Sequence, residues 1–387
     1  MAKEAASSDQ GVVIGEEINQ HVRLLTLNRP KQLNCISSET VSLLAEFLEK
    51  WERDDNVRLI VIKGMGRAFS AGGDLRMFYN GGSGDSCLDV VYRMYWLCYH
   101  LHTYKKTRVA LVHGIAMGGG AAISVPSEIS VVTEKTIFAV PEASVGLHTD
   151  CSFSYILSRL PGHLGEFLAL TGATLNGKEM IDVGLATHFV PSEKLPELEK
   201  RLLDSDTGDK DVIRTLVDDY SSNVRPDEES VLNKLETINK CFSASSVEEI
   251  IISLKAEAVL EGNEWMGHFL KGLKRASPTG LKITLRSIRE GRQQTLPECL
   301  KKEFRLSMNI LRSLISSDVF EGIRALSIDK DNAPKWNPKT LDEVTCENLD
   351  LVFQAFTDEL ELKLPYEAES CRWEEKYENT VYSLKQV

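Results

Sequence analysis

Residues 140–150 read VPEASVGLHTD, a short apolar, loop-like stretch that carries two acids, Glu142 and Asp150. A pair of carboxylates is what general acid–base chemistry needs, one group to take a proton and one to give it. Two such groups in a dry pocket also split their pKa values, so that one holds a proton near neutral pH. Alone, they read equally well as solvated loop residues. Two upstream glycine loops change the balance: residues 68–75 read AFSAGGDL, and residues 113–120 read HGIAMGGG. Glycines at such places let a ligand touch backbone directly. A helix opening at Gly118-Gly119-Gly120 also offers unpaired N–H groups and the positive end of its dipole. Singly, each loop is as readily a tight turn or a close-packing point. Together they can supply one N–H from each of two segments, the requirement of an oxyanion hole.

Other chemistries lack their signatures. No Gly-Lys-Ser/Thr follows the first loop and GxGxxG is missing, so neither a Walker loop nor a dinucleotide fingerprint is present. There is no GxSxG elbow, and Cys151 has no histidine at a recognisable spacing. His100 and His102 fall on different faces of a helical pattern, so no metal site is expected.

An alternation of strands and helices must position these groups. Residues 22–27 are β-like and stop at Asn28-Arg29-Pro30. Ser38-Glu39 opens a helix carrying Val41, Leu44, Ala45 and Leu48 at helical spacing. Residues 58–63 are a continuous apolar run, as in strands buried on both faces. Val90, Met94, Leu97 and Leu101 mark a second helix, residues 109–112 another buried strand, and the three glycines open a third helix. Residues 129–132 and 137–140 are further β-like runs. This order predicts an α/β core. From about Leu195 the chain turns helical and charged. Ser277-Pro278 caps a helix with Leu281, Leu285 and Ile288 that Gly291 closes. Thr295 and Glu298 form a capping box before Leu300, Phe304, Met308 and Leu311. The expected division is a flexible N-terminus over 1–11, a core over 12–200, a helical region over 201–340 and an acidic tail of uncertain structure over 341–387.

With 387 residues, 42% of them hydrophobic, the chain can bury a large core. Its net charge of -12 makes nucleic acid a poor partner and gives no attraction to anionic lipid. No apolar run approaches the roughly 20 residues that span a bilayer. The eight cysteines are scattered without a CxxC pair, which predicts reduced, mostly buried thiols and a cytoplasmic location. The N-terminal MAKEAASSDQ lacks a signal-peptide core. A peroxisomal route would lack its terminal tripeptide, since the chain ends Lys385-Gln386-Val387.

The succession Leu27-Asn28-Arg29-Pro30, AFSAGGD, HGIAMGGG and Pro141-Glu142 resembles the crotonase (enoyl-CoA hydratase/isomerase) superfamily over roughly residues 12–200. Within it, the chain is similar to the 3-hydroxyisobutyryl-CoA hydrolases and the plant proteins called hydrolase-like. That closer likeness runs on through Ser158-Arg159-Leu160-Pro161-Gly162, Leu168-Ala169-Leu170-Thr171-Gly172 and Ala186-Thr187-His188-Phe189-Val190. It reaches Glu321-Gly322-Ile323-Arg324-Ala325, Asp329-Lys330-Asp331 and Pro334-Lys335-Trp336. The resemblance implies a crotonase-type ββα spiral core followed by a helical C-terminal region. It implies hydrolysis of a short-chain acyl-CoA thioester, 3-hydroxyisobutyryl-CoA to 3-hydroxyisobutyrate and CoA, a step of valine breakdown. CoA is then part of the substrate, and no cofactor or metal is expected. A homo-oligomer stays open, as trimers and hexamers are common in the superfamily. The matching motifs put the oxyanion donors at Ala71 and Gly119 and the catalytic pair at Glu142 and Asp150. They lay CoA along the backbone of Ala71, Gly72, Gly73, Asp74 and Leu75, with Gly118 and Gly119 beside the thioester.

Three departures bear on that reading. Hydratases of the superfamily carry a second glutamate where this chain has Ala122, so half of a hydratase pair is missing. The hydrolases usually read Phe-Pro-Asp-Val-Gly where this chain reads His148-Thr149-Asp150-Cys151-Ser152. His148 therefore joins the candidate substrate contacts, against the plainer reading of a polar loop residue. Met94 stands where active relatives usually carry Glu. It is an ordinary core position of its helix and also a candidate acyl contact, and its presence predicts weaker selectivity for the 3-hydroxy group. Two alternatives remain: a crotonase-fold hydratase or isomerase acting through Glu142, and a non-catalytic acyl-CoA-binding protein.

Overall fold

The structure is a computed structural model and describes residues 11–82, 84–358 and 360–364. Strands β1 (Val13–Glu17) and β2 (Val22–Leu27) form an antiparallel hairpin with Val13 opposite Leu27. Helix α1 (Ser38–Arg53) begins where Ser37 Oγ accepts the Thr40 N–H at 3.2 Å, an N-cap that satisfies one free donor. Then come β3 (Leu59–Gly64), β4 (Ala68–Ser70), α2 (Leu75–Gly81), α3 (Asp85–Thr103), β5 (Thr107–Val112), β6 (Ile115–Met117) and α4 (Ala121–Ser124). They are followed by β7 (Ile129–Val132), β8 (Ile137–Ala139), α5 (Phe153–Leu157), α6 (Leu164–Thr171), β9 (Leu175–Asn176), α7 (Gly177–Asp182) and β10 (His188–Phe189).

The strands sort into two sheets. One has the order β1-β2-β3-β5-β7-β10, parallel after the first hairpin; the other has the order β4-β6-β8-β9. The pairs β3/β4, β5/β6 and β7/β8 each give one strand to the larger sheet and one to the smaller, and helices return the chain between turns. This is the ββα spiral.

The continuous apolar runs have a direct cause. Successive side chains of a strand point to opposite faces, and both faces of the larger sheet are covered. Leu59, Val61, Val109 and Leu111 pack under α8 (Leu195–Leu203) and α9 (Lys210–Asp218), against Leu198, Leu202, Ile213 and Val217. Ile60, Ile62, Ala110 and Val112 face the main core with Leu44, Leu48 and Trp51 of α1.

The remaining helices are α10 (Leu235–Phe242), α11 (Val247–Glu257), α12 (Met266–Arg275), α13 (Pro278–Gly291), α14 (Leu296–Leu311), α15 (Asp318–Ile323) and α16 (Cys346–Phe353). Ser277 caps α13 by accepting the Gly280 N–H at 3.0 Å, and Gly291 is its last residue. Helix α13 packs on α5 and α6, and α14 packs on α3 and α5, so the C-terminal helices form a wall of the same body. Arg324 opens a π-helical turn over Arg324–Ile328 and binds Glu321, Asp329 and Asp331, which ties the EGIRA and DKD segments together.

Two expectations differ from what is found. The helix expected at the three glycines is a 3-10 turn over Gly118–Gly120 followed by the single turn of α4. Part of the stretch read as tail is ordered: α16 packs on α14, with Asn309 Nδ2 donating to the Val352 carbonyl at 3.0 Å and Arg286 to Asp350 at 2.6 Å. The N-terminal residues 1–10 and the tail beyond 364 lie outside the described residues. Among the described residues no helix is long and apolar enough to cross a membrane.

Candidate active site

Both glycine loops, the turn Glu142–Val145, and faces of α3, α14 and α15 converge on one cavity of about 360 Å³. Its wall is mainly apolar, with Met94, Leu311, Val319 and Ile323 contributing, and its carboxylates are Glu142 and Asp150. Ala71, Gly72, Gly73, Leu75, Gly118 and Gly119 all reach it.

The first loop is fixed by a long-range pairing. Arg29 donates to the Cys35 carbonyl at 2.7 Å and to Asp74 Oδ2 at 2.8 Å, so the LNRP segment clamps the loop. Ile36 and Gly73 form a parallel bridge: the Ile36 N–H donates to the Gly72 carbonyl at 2.8 Å and the Asp74 N–H to the Ile36 carbonyl at 2.9 Å. In such a bridge residues 72 and 74 face Ile36, and the N–H of Gly73 points the other way.

This corrects the assignment of Ala71 as an oxyanion donor. Its N–H is already given to the Leu33 carbonyl at 2.9 Å. The Gly73 N–H has no acceptor among the described residues, and Gly73 lines the cavity. Gly73 therefore offers the free N–H that was expected of Ala71. Asp74 spends its N–H on Ile36 and its carboxylate on Arg29 and the first turn of α2. It shapes the loop and does not reach the cavity.

The second loop brings the other donor. Gly119 lies in the first turn of a helix, where an N–H has no carbonyl behind it to bind. A methyl group placed on Gly72 would lie 3.8 Å from Gly119 N, so the two loops are adjacent. Gly118 has φ 49°, and a methyl group there would fall 2.5 Å from Glu142 Oε1. Only glycine lets the carboxylate sit this low over the loop. Gly118→Ala is thus expected to push Glu142 aside and lower kcat by about 10²-fold, the usual cost of roughly 1 Å of misplacement. The left-handed backbone adds about 1–2 kcal/mol of instability. Steady-state kinetics beside a thermal melt check both effects; an unchanged kcat would show that the carboxylate position is not constrained in this way.

Glu142 is buried, and its Oε2 has no hydrogen-bond partner among the described residues. Burial, then the charge of Asp150, then that of Glu303 hold its carboxyl well above the usual carboxylate range. Asp150 is half-buried on the cavity wall, and burial pushes it up to about 6. The Cys151 thiol and the Ser307 and Tyr95 hydroxyls lie within hydrogen-bonding reach of it.

Glu303, on α14, is a residue that sequence reasoning missed. It is fully buried and accepts the Ser152 and Ser154 N–H groups, both at 2.7 Å. Those bonds grip the end of the turn made by Cys151 and Ser152, whose φ values of 56° and 76° lie in the left-handed region that non-glycine residues avoid. The resembling family has glycine where Ser152 stands. Glu303 thus holds in place the strained turn that carries Asp150. Burial raises its own carboxyl to about 7. A signal was present: Glu303 and Ser307 fall on the stripe of Leu300, Phe304 and Leu311, polar residues on an apolar helix face.

His148 is corrected as a substrate contact. It is wholly buried behind the wall, with Nε2 2.9 Å from Ser307 Oγ and Nδ1 3.0 Å from the Thr149 carbonyl. Met94 is both things expected of it, a core residue of α3 and part of the cavity wall, with its methyl group beside Gly119. Cys151 lines the cavity, but a hydrogen bond with Cys98 and then burial hold its thiol far above the range of a reactive thiolate. Ala122 is buried in α4, off the cavity wall.

Comparison with known proteins agrees with this architecture. Residues 22–353 match the enoyl-CoA hydratase/isomerase family. The chain is 64% identical to 3-hydroxyisobutyryl-CoA hydrolase-like protein 5 of Arabidopsis thaliana over 385 residues, 99% of each chain. It is 43% identical to 3-hydroxyisobutyryl-CoA hydrolase 1 of the same plant, over 94% of this chain and 97% of that one. A carnitinyl-CoA dehydratase from Mycobacterium thermoresistibile superposes with a TM-score of 0.82 at 32% identity, covering 92% of this chain and 99% of its own. The spiral core, the two glycine loops over one cavity and these likenesses agree: the chain belongs to the enoyl-CoA hydratase/isomerase (crotonase) family and, within it, to the branch of the 3-hydroxyisobutyryl-CoA hydrolases and their hydrolase-like relatives.

Proposed function

We propose that this protein hydrolyses a short-chain acyl-CoA thioester, with 3-hydroxyisobutyryl-CoA as the leading substrate, to the free acid and CoA. One observation carries the reading: Glu142 and Asp150 share a cavity with two outward N–H groups, while the position of the hydratases' second glutamate is Ala122. The names of the two Arabidopsis relatives support the same substrate class.

The thioester carbonyl oxygen lies between the Gly73 and Gly119 N–H groups, which stabilise the oxyanion that forms on attack. Glu142 delivers the attacking oxygen, either its own or that of a water it deprotonates. Its unpartnered Oε2 is suited to both routes. Collapse of the tetrahedral species breaks the C–S bond, and Asp150 supplies the proton to the leaving sulfur. When Glu142 attacks directly, water then opens the resulting anhydride. CoA enters as part of the substrate, and no step in this scheme uses a metal or redox cofactor. Hydration across a double bond would need a second acid near Ala122, which this cavity does not offer.

Met94 presents a thioether to the acyl site, so the preference for a 3-hydroxyl over its deoxy analogue is weak in this proposal. The proposed compartment is the cytoplasm, a reducing one; the described cysteines are free thiols, most of them buried. The test is thiol release from 3-hydroxyisobutyryl, 3-hydroxypropionyl, isobutyryl and methacrylyl thioesters of CoA. The proposal expects release from the first, with isobutyryl within about tenfold of it, the discrimination one unsupported polar contact provides. No release from any of the four would refute it.

A further inference from the structure

We infer that the acyl end of this cavity is built for an aliphatic chain longer than that of 3-hydroxyisobutyrate, so that unhydroxylated acyl-CoA thioesters of medium length are a substrate class of the same site. The inference rests on the hydrolase reading above and widens its range of acyl groups.

The cavity has one open and one closed end. At the open end Leu326 is 47% exposed, and Ser144 is exposed as well. At the closed end Val41 of α1, Val90, Val91 and Met94 of α3 and Leu311 of α14 line the space, none of them more than 8% exposed. CoA ends in charged phosphates, which are costly to bury, so its arm leaves by the open end. An acyl group whose carbonyl oxygen lies between the Gly73 and Gly119 N–H groups then points to the closed end. Its first neighbours there are apolar. A methyl group placed on Gly119 would lie 3.4 Å from Cys151 Sγ, 3.6 Å from the Met94 methyl carbon and 3.7 Å from Ile36 Cδ1.

Apart from Asp150, the polar side chains of the closed end are Tyr95 and Ser307. Their hydroxyls lie 2.9 Å apart, Ser307 Oγ lies 2.9 Å from His148 Nε2, and both reach Asp150, so these groups satisfy one another within the wall. Beyond this cluster the lining is aliphatic. It runs one helical turn of α3 past Met94, to Val90 and Val91, and one turn of α14 past Ser307, to Leu311. One turn is about 5.4 Å. The 3-hydroxyisobutyryl group, hydroxyl included, ends about 4 Å beyond its carbonyl carbon, whereas a hexanoyl chain reaches about 6 Å. The smaller group leaves apolar space unfilled beside Val90, Val91 and Leu311, and such space takes up water poorly. Each methylene that enters it is removed from water, a gain of about fourfold in affinity.

S-alkyl thioethers of CoA cannot be hydrolysed, so their binding tests the acyl end apart from turnover. Calorimetric titration of the wild type is expected to give a Kd that falls about tenfold or more from S-butyl-CoA to S-hexyl-CoA. In thiol-release assays, kcat/KM for hexanoyl-CoA is expected to exceed that for butyryl-CoA by a similar factor. Val90→Trp fills the closed end, and Met94→Glu puts a carboxylate where the related hydrolases usually have one. Each is expected to remove most of the gain, and circular dichroism selects the variants that fold. S-hexyl-CoA bound no more tightly than S-butyl-CoA would overturn the inference, even with thiol released from the small thioesters. So would a gain that persists undiminished in folded Val90→Trp and Met94→Glu, which would put the chain outside this cavity. A gain for S-hexyl-CoA without thiol release from any thioester would uphold the aliphatic acyl end and refute hydrolysis.

Discussion

Glu142→Gln is expected to lower kcat by at least about 10³-fold with KM changed by less than about threefold, as for a group acting only in the transition state. Substrate binding depends on the glycine loops and the apolar wall, which the exchange leaves alone. Folding is spared for a specific reason. Glu142 Oε2 has no partner to lose among the described residues, and the carboxyl is already pushed toward its neutral form by burial and by Asp150. An amide of the same shape removes that electrostatic penalty, so the variant melts no earlier than the wild type. Stopped-time thiol release and a thermal melt on the same preparation check the two halves. A variant with near-normal kcat would move the attacking oxygen to another residue.

Asp150→Asn is expected to trade activity for stability. Loss of the acid that protonates the leaving sulfur lowers kcat by about 10²-fold or more. The stability effect follows from linkage. The Asp150 carboxyl is raised from 3.8 to about 6 in the folded state, so the folded protein holds a proton that the unfolded chain has released. Its contribution is complete below 3.8 and is lost as pH rises through about 6. At neutral pH the wild type has lost it, and the asparagine variant, which does not titrate, is more stable. The full shift is discounted because Asp150 lines a cavity open to solvent, leaving a gain on the order of 1 kcal/mol. Melting temperatures across that pH window check the sign. A variant less stable than wild type at neutral pH, or one with the same pH slope, would contradict it.

Much of this molecule was legible in its sequence because local pattern and global fold agree. The runs at residues 58–63 and 109–112 read as buried strands because both faces of β3 and β5 are covered. Ser277 and Gly291 bounded α13 because capping is a short-range property. Strands β4, β6 and β8 have three residues each, too few for alternation to show.

In the site, Gly119 and Glu142 were readable from motifs, but the partner donor was not. Whether Ala71 or Gly73 keeps a free N–H is decided by Leu33 and Ile36, which approach from another part of the chain. His148 was misplaced for a similar reason. Its neighbour Ser307 is 159 residues away, and a buried imidazole cannot be told from a substrate contact until α14 is in position. Glu303 was hidden as one charged residue in a helix rich in them, and only its two bonds to the strained turn reveal its role.

The most direct test of the account follows two signals at once on wild-type protein, free thiol and the absorbance of the enoyl double bond, with 3-hydroxyisobutyryl-CoA and methacrylyl-CoA as substrates. A two-amide hole with Glu142 and Asp150, and with Ala122 in place of a second hydratase acid, predicts thiol release from 3-hydroxyisobutyryl-CoA, with no double bond formed from it and none lost from methacrylyl-CoA by hydration. A change at the double bond without thiol, or tight binding with neither signal, would contradict it.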